Sequence, residues 1–210
     1  VHGIDNMDFR SDRYAQGQNL NLNFIPPLSK QQAYRLATLY PFATQLTGEM
    51  GMQAEFTYTL PRKTMIGGHY GTTLILNYSR IQAIDSTLDA DNDGFTYESS
   101  PFNFLDMYSS DRRLFFEEFN FEVNRKLSKT VKSKFSLIHS IYDKDVMEHE
   151  WAKETGKVTS TALIAELSFK LNPKHSLRIE AQHLWSENEL PLHKVDNING
   201  NWAMLLAEYT

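Results

Sequence analysis

Along most of this chain, apolar and polar residues alternate one by one instead of recurring every third or fourth position. Met52, Ala54, Phe56, Tyr58 and Leu60 are interleaved with Gln53, Glu55, Thr57 and Thr59. Phe119, Phe121 and Val123 alternate with Glu118, Asn120, Glu122 and Asn124. Val131, Phe135, Leu137 and Ile141 share one parity, while Lys132, Lys134, Ser136 and Ser140 share the other. The same rhythm runs through Leu163–Leu171 against Glu166, Ser168 and Lys170, and through Leu177, Ile179, Ala181 and Trp185 against Arg178, Glu180 and Gln182. Successive side chains on a strand point to opposite faces, so each segment has one apolar and one strongly polar face.

This pattern predicts nine strands, over 17–25, 32–41, 50–60, 65–80, 113–125, 130–142, 159–171, 176–187 and 201–210. Most run ten residues or more. Soluble strands average about 5–6, and a tilted transmembrane strand needs about 9–11. Leu28–Leu39 is the one segment that also reads as a helix, with Ser29 as its cap and Gln31, Gln32, Ala33 and Leu36 as good formers. Hairpin parity favours the strand.

The connections alternate in size. Short ones fall at Pro26–Ser29, Pro61–Lys63, Leu127–Lys129 and Asn172–Lys174, with longer ones at 81–112, 143–158 and 188–200 and a shorter one near 42–49. In an up-and-down barrel every second connection lies on the same side, and outer-membrane barrels combine short periplasmic turns with long external loops. The pattern therefore predicts an all-β, antiparallel up-and-down transmembrane β-barrel. Residues 81–112 form its long acidic external loop. An odd strand count, with no turn after the last strand, suggests one β-barrel domain over 1–210 that is a fragment of a larger barrel. Glycines at 67, 68 and 71 within a predicted strand suggest a bend in the wall. Tyr40, Tyr58, Tyr78, Tyr142, Trp185 and Trp202, near strand ends, suit an interfacial girdle.

Composition changes the picture little. Hydrophobic residues make up 41 % of the 210 residues and mean hydropathy is -0.46. No apolar run approaches the ~18 residues of a spanning helix, but a barrel hides its apolar content in alternation. The absence of cysteine excludes disulfides and thiol chemistry. A net charge of -5, without a basic stripe, sets nucleic-acid partners aside. The opening Val1-His2-Gly3 carries no signal-peptide pattern.

With the strands placed, FIPPLSKQQAYRLATLYPFATQLTGEMG (Phe24 to Gly51) and MIGGHYGTTLILNYS (Met65 to Ser79) resemble a family of Bacteroidetes outer-membrane proteins catalogued as a domain of unknown function. The resemblance covers the first third of the chain; beyond it only the strand rhythm agrees. It implies a barrel in a bacterial outer membrane and brings no catalytic residues.

Candidate chemistry is sparse. Asp89-Ala90-Asp91-Asn92-Asp93-Gly94 matches the first half of a calcium loop, where alternate carboxylates converge on a hard cation. The twelfth position is Ser100 rather than a bidentate Glu. Glu98 stands two residues early, so Asp89, Asp91, Asp93 and Glu98 are the candidate Ca²⁺ ligands, against the plainer reading of an acidic loop tip. No other cofactor is expected. The seven histidines show no ligand spacing. An outer-membrane lipid hydrolase would need a Ser–His pair, but His139 and Ser140 point to opposite faces. No catalytic residue is assigned.

The barrel reading places Glu118, Glu122, Lys132, Lys134, Glu166, Lys170, Arg178 and Glu180 toward the lumen, as a charge-selective lining or a salt-bridged filling. It places Phe119, Phe121, Phe135, Leu137, Leu167, Phe169, Leu177 and Ile179 toward lipid. The expected partners are the bilayer and other envelope proteins, and the expected role is a pore, a transport accessory or a scaffold. The competing reading is a soluble, secreted β-sandwich that binds a ligand or glycan, with its apolar faces paired inward.

Overall fold

The computed structural model describes residues 9–10, 21–22, 28–38, 49–83, 86–89, 94–97, 113–144, 146, 156–188 and 199–210. Two short strands, β1 (Phe9–Arg10) and β2 (Asn21–Leu22), pair with each other. β3 (Glu49–Leu60) and β4 (Thr72–Ala83) open the main sheet, and β5 (Ser86–Asp89) and β6 (Gly94–Tyr97) form a separate hairpin. β7 (Leu114–Lys126), β8 (Val131–Asp143), β9 (Lys157–Asn172), β10 (His175–Asn188) and β11 (Gly200–Tyr209) complete the main sheet. Its seven strands run in the order β3-β4-β7-β8-β9-β10-β11, every pair antiparallel. Chain neighbours are sheet neighbours, with only the β5–β6 hairpin intervening.

The sheet is open: among the described residues β3 pairs only with β4, and β11 only with β10. Three turns share one edge, at 61–71, 127–130 and 173–174, and the long connections share the other. The predicted parity of short and long connections therefore holds for these hairpins.

Three expectations need correction. Among the described residues the count of nine strands gives way to seven in the main sheet, and that sheet is not closed into a barrel. Over 32–38 neither the predicted strand nor the helix forms, and 39–41 lie outside the described residues. Residues 28–38 are irregular apart from one turn in which Tyr34 O accepts from the Ala37 and Thr38 amides at 3.1 and 3.0 Å. The predicted strand at 65–80 begins only at Thr72, because 61–71 is a turn. Glycines 67, 68 and 71 belong to that turn and not to a wall bend. Gly68 and Gly71 have φ of 68° and 93°, a region that L side chains adopt at a cost. Gly68 N–H donates to Thr64 O at 2.9 Å, and Lys63 N–H to Gly68 O at 2.7 Å. Of the predicted strand at 17–25, Asn21–Leu22 is strand and the rest lies outside the described residues.

Burial inverts the usual order of a soluble sheet. On one face Asn77, Ser79, Glu118, Asn120, Glu122, Ser136, Ser140, Ser160, Glu180 and Gln182 are buried. On the other, Phe56 is 63 % exposed and Leu205 75 % exposed, with Phe119, Phe135, Leu167, Ile179 and Trp185 also open. Two apolar clusters anchor the buried side. One, toward the long-loop edge, joins Ile81, Phe115, Phe116, Tyr142, Val146 and Val158. The other joins Tyr34, Ile138, Ala162, Ile164 and Leu184.

Candidate functional site

The distinctive part of the molecule is the polar face together with the segment 28–38 that lies over it as a strap. Leu28 begins on the apolar cluster of Ile81, Phe115, Phe116, Tyr142, Val146 and Val158, next to β3. It fits because β3 carries Gly51 there: a Cβ at that position would stand 2.6 Å from Leu28 Cδ1. Lys30 then reaches Glu122 of β7 at 3.7 Å. Tyr34 donates its phenol to Glu166 of β9 at 3.3 Å, and the Lys134 ammonium of β8 sits 5.0 Å from its ring centroid. Burial raises the Tyr34 phenol above its ordinary pKa, so it holds its proton as a donor. Leu36 N–H donates to Gln182 Oε1 of β10 at 2.9 Å. The strap therefore crosses the strands in their sheet order.

Its apolar half has its own seat. Tyr34, Leu36 and Ala37 pack on Ile138, Ala162, Ile164 and Leu184, which belong to the parity that otherwise carries glutamates, serines and asparagines. Alternation alone did not assign these four residues. Their trace in the sequence is the interruption itself, an apolar residue on the polar parity of three neighbouring strands.

Around this seat the charged groups satisfy each other. Arg178 is the hub: it reaches Glu166 at 3.5 Å, Glu208 at 3.7 Å, and Glu180 as well. Register explains the need for it. Glu180 stands directly opposite Glu166 across the β9–β10 ladder, a like-charge pair that is destabilising unless a cation intervenes. Gln182 Nε2 donates to Glu180 from the other side. Lys134 pairs with Glu122 at 3.1 Å, and Ser140 and Ser160 share a hydrogen bond of 2.7 Å. Glu118 Oε1, both side-chain polar atoms of Asn120, and Ser136 Oγ are buried with no hydrogen-bond partner among the described residues.

Among the residues expected toward a lumen, Glu118, Glu122, Lys134, Glu166, Arg178 and Glu180 lie on this face, centred under the strap. Lys132 and Lys170 have the same parity but stand exposed at the turn edge. Phe119, Phe121, Phe135, Leu137, Leu167, Phe169, Leu177 and Ile179 all lie on the opposite face. Of the expected girdle, Tyr58, Tyr78 and Trp185 share that open face, Trp185 stacked on His183 at 4.1 Å. Tyr142 and Trp202 do not. Tyr142 pairs with Phe116 and Val158 in the buried cluster, and Trp202 has the parity of Glu208. Tyr40 lies outside the described residues.

Asp89 ends β5 opposite Gly94 of β6, whereas Asp91, Asp93 and Glu98 lie outside the described residues. Among the described residues no group of three or more His, Asp or Glu side chains converges as metal ligands. His139 bonds Thr161 at 2.9 Å on the face opposite Ser140, so the two cannot act together.

No curated protein and no solved structure matched the chain in comparison. A family model does match, over residues 1–210. It covers the whole sequence, strap and strands alike, and the chain therefore belongs to the family described as "Family of unknown function (DUF6029)".

Proposed function

We propose that this sheet is part of the wall of a bacterial outer-membrane β-barrel, with its apolar face toward lipid and its strapped polar face toward the interior. The observation that carries the reading is the inverted burial. Glu180 is 3 % exposed while Leu167 and Ile179, one strand-step away, are 39 % and 36 % exposed. Seven strands at about 4.8 Å spacing, over an apolar height of ~25 Å, give an open apolar face of roughly 700 Å². The largest apolar patch on a soluble monomer is about 300–600 Å². A sandwich would turn Phe119, Leu167 and Ile179 inward; lipid accepts them where they are.

Strand length agrees. A 13-residue strand such as β7 extends ~43 Å, and at a tilt of about 40° it crosses ~33 Å, against ~30 Å of hydrocarbon. Among the described residues β3 and β11 each have one strand neighbour, and lipid cannot satisfy an open sheet edge, so this reading places further chain or strands against those two edges. Among the described residues no paired nucleophile and base accompanies the polar face, and the strap covers its centre. The role supported best is that of a filled barrel, a scaffold or gated passage in the envelope, rather than an enzyme.

The test is where the protein resides when expressed in a Gram-negative host behind a supplied secretion signal. The reading expects it in the outer-membrane fraction after alkaline wash, extractable only with detergent, and with a gel mobility that changes on boiling. A monomer that is soluble without detergent and melts cooperatively would overturn it.

A further inference from the structure

The turn edge of the sheet carries a charge pattern that polarity alone does not explain. Residues 61–71, 124–133 and 169–177 contain two, four and two lysines or arginines and no aspartate or glutamate. The connection 84–112 at the opposite edge contains seven acidic residues and a single arginine. Solvated turns require polar groups, not one sign of charge.

The basic groups also surround a cavity. Lys129, Lys132, Lys170 and Lys174 line a depression of about 300 Å³ between the β7–β8 and β9–β10 turns, together with the hydroxyls of Thr130 and Ser176. All four lysines are exposed, and none forms an ion pair among the described residues. The floor is fixed: Lys170 N–H donates to Thr130 O at 2.8 Å, tying one turn to the other, and Lys174 N–H donates to Asn172 Oδ1 at 2.9 Å. Uncompensated ammonium groups beside hydroxyl donors fit a phosphate diester.

Apolar side chains at the same rim choose between kinds of anion. Leu171 is 59 % exposed and Leu127 50 % exposed, and both adjoin the lysines. Phe169 lines the cavity and continues into the open apolar face. A soluble anion would use the cations alone. A phospholipid would use both at the strand ends, with its phosphate on the turn lysines Lys129 and Lys174, its acyl chains along Phe169 and Leu171, and Lys132 and Lys170, which have the interior parity, at the back of the depression.

We propose that this rim is a docking site for anionic phospholipid headgroups, at the boundary where the apolar face meets water. The inference rests on the membrane reading above and adds the lipid class that the wall selects. Arg62, Lys63 and Lys126 on the same edge extend the site along the rim.

The experiment reconstitutes the full protein in phosphatidylcholine vesicles containing a minor share of phosphatidylglycerol, and measures the association of spin-labelled versions of both lipids. At low salt, phosphatidylglycerol is expected to be preferred by about three- to tenfold, and the preference should fall toward unity at about 0.5 M salt. The triple variant Lys129→Gln/Lys170→Gln/Lys174→Gln should insert as well as the parent and lose most of the preference. Equal association of the two lipids with the parent, or a preference that the variant retains, overturns the proposal and leaves the membrane reading intact. Abolition by millimolar inorganic phosphate assigns the site to a soluble anion and overturns it too. A protein that does not enter vesicles overturns both.

Discussion

An arginine placed at the centre of the open face separates lipid from water as the medium that face was built for. On β9 the outward positions Leu163, Ala165, Leu167, Phe169 and Leu171 form an unbroken apolar row. From first to last they span eight residues of rise, ~26 Å along the strand and ~20 Å in depth at a tilt of about 40°. Leu167 is the middle of that row and Leu171 its rim. In a bilayer, Leu167→Arg puts a guanidinium ~10 Å from either interface and should cost ~2–4 kcal/mol, whereas Leu171→Arg should cost ~0–1 kcal/mol. In water the order changes. Leu167 is already 39 % exposed and Leu171 59 % exposed, so both replacements lose only part of a leucine's burial, about 1 kcal/mol or less, and the two costs nearly coincide. Reversible denaturant titration in phospholipid vesicles, followed by tryptophan fluorescence, measures both variants against the parent. A gap of at least ~1.5 kcal/mol between them is expected, and equal values within ~0.5 kcal/mol would refute the lipid-facing assignment.

Arg178→Met leaves Glu166 and Glu180 opposed without their shared cation. The Arg178 side chain is 42 % exposed, so solvent screens part of the loss, and destabilisation of ~1–3 kcal/mol is expected in the same titration. Adding Glu180→Gln to that variant should restore part of it, and a strictly additive double mutant would argue against the hub. Tyr34→Ser should detach the strap without unfolding the sheet: losing a buried aromatic weakens its seat by ~3 kcal/mol, so hydrogen exchange at the Leu36 amide should accelerate about 100-fold while β8 and β9 amides keep their protection. Unchanged exchange at Leu36 would show that the strap is held elsewhere. Gly68→Ala forces a Cβ at φ 68° and against Arg125, 2.8 Å from Nη2, so ~1–2 kcal/mol of destabilisation is expected, with Gly68→Asn milder than Gly68→Ala in thermal unfolding.

The strands β7 to β10 were legible within a residue or two because each is specified by its own alternation, a local signal that register then confirms from both neighbours. β3 and β11 follow their alternation as closely, whereas the segments 28–38 and 61–71 are less legible, for two physical reasons. Met65 and Ile66 gave 65–71 the look of strand, yet they are 99 % and 69 % exposed on a turn whose shape is set by backbone conformations at Lys63, Gly68 and Gly71. The spacing of those glycines was the better indicator. The strap was illegible for a different reason. Nothing near Leu36 in sequence shows that its amide will meet Gln182, 146 positions away. Tyr34 and Leu36 have equal parity with Thr38, so the segment imitates a strand while its partners are side chains and not a ladder. The charged residues of the inner face were identified, but their pairing was not. Arg178 acquires three glutamates only through the registers of β9, β10 and β11 taken together.

The strap also changes what holds the sheet together. In a meander each strand is hydrogen-bonded only to its sheet neighbours, and among the described residues β3–β4 forms no ladder with β9–β10. Residues 28–36 supply one, from the Leu28 contact at β3 and β4 to the Leu36 bond on β10. Flat, the distance from β4 to β10 is four strand spacings, ~19 Å, and eight residues of extended chain reach at most ~27 Å. The segment is long enough to cross and too short to wander, so it behaves as a chord that limits how far the outer strands can part. It also imposes an order on assembly. The segment lies near the start of the chain, but its seat on Ile138, Ala162, Ile164 and Leu184 exists only once β8, β9 and β10 have paired. The cost of closing so long a loop cannot be offset before then. The sheet is therefore expected to form first by local hairpins and to receive its strap last, an order that pulse-labelled hydrogen exchange during refolding checks through late protection of the Leu36 amide.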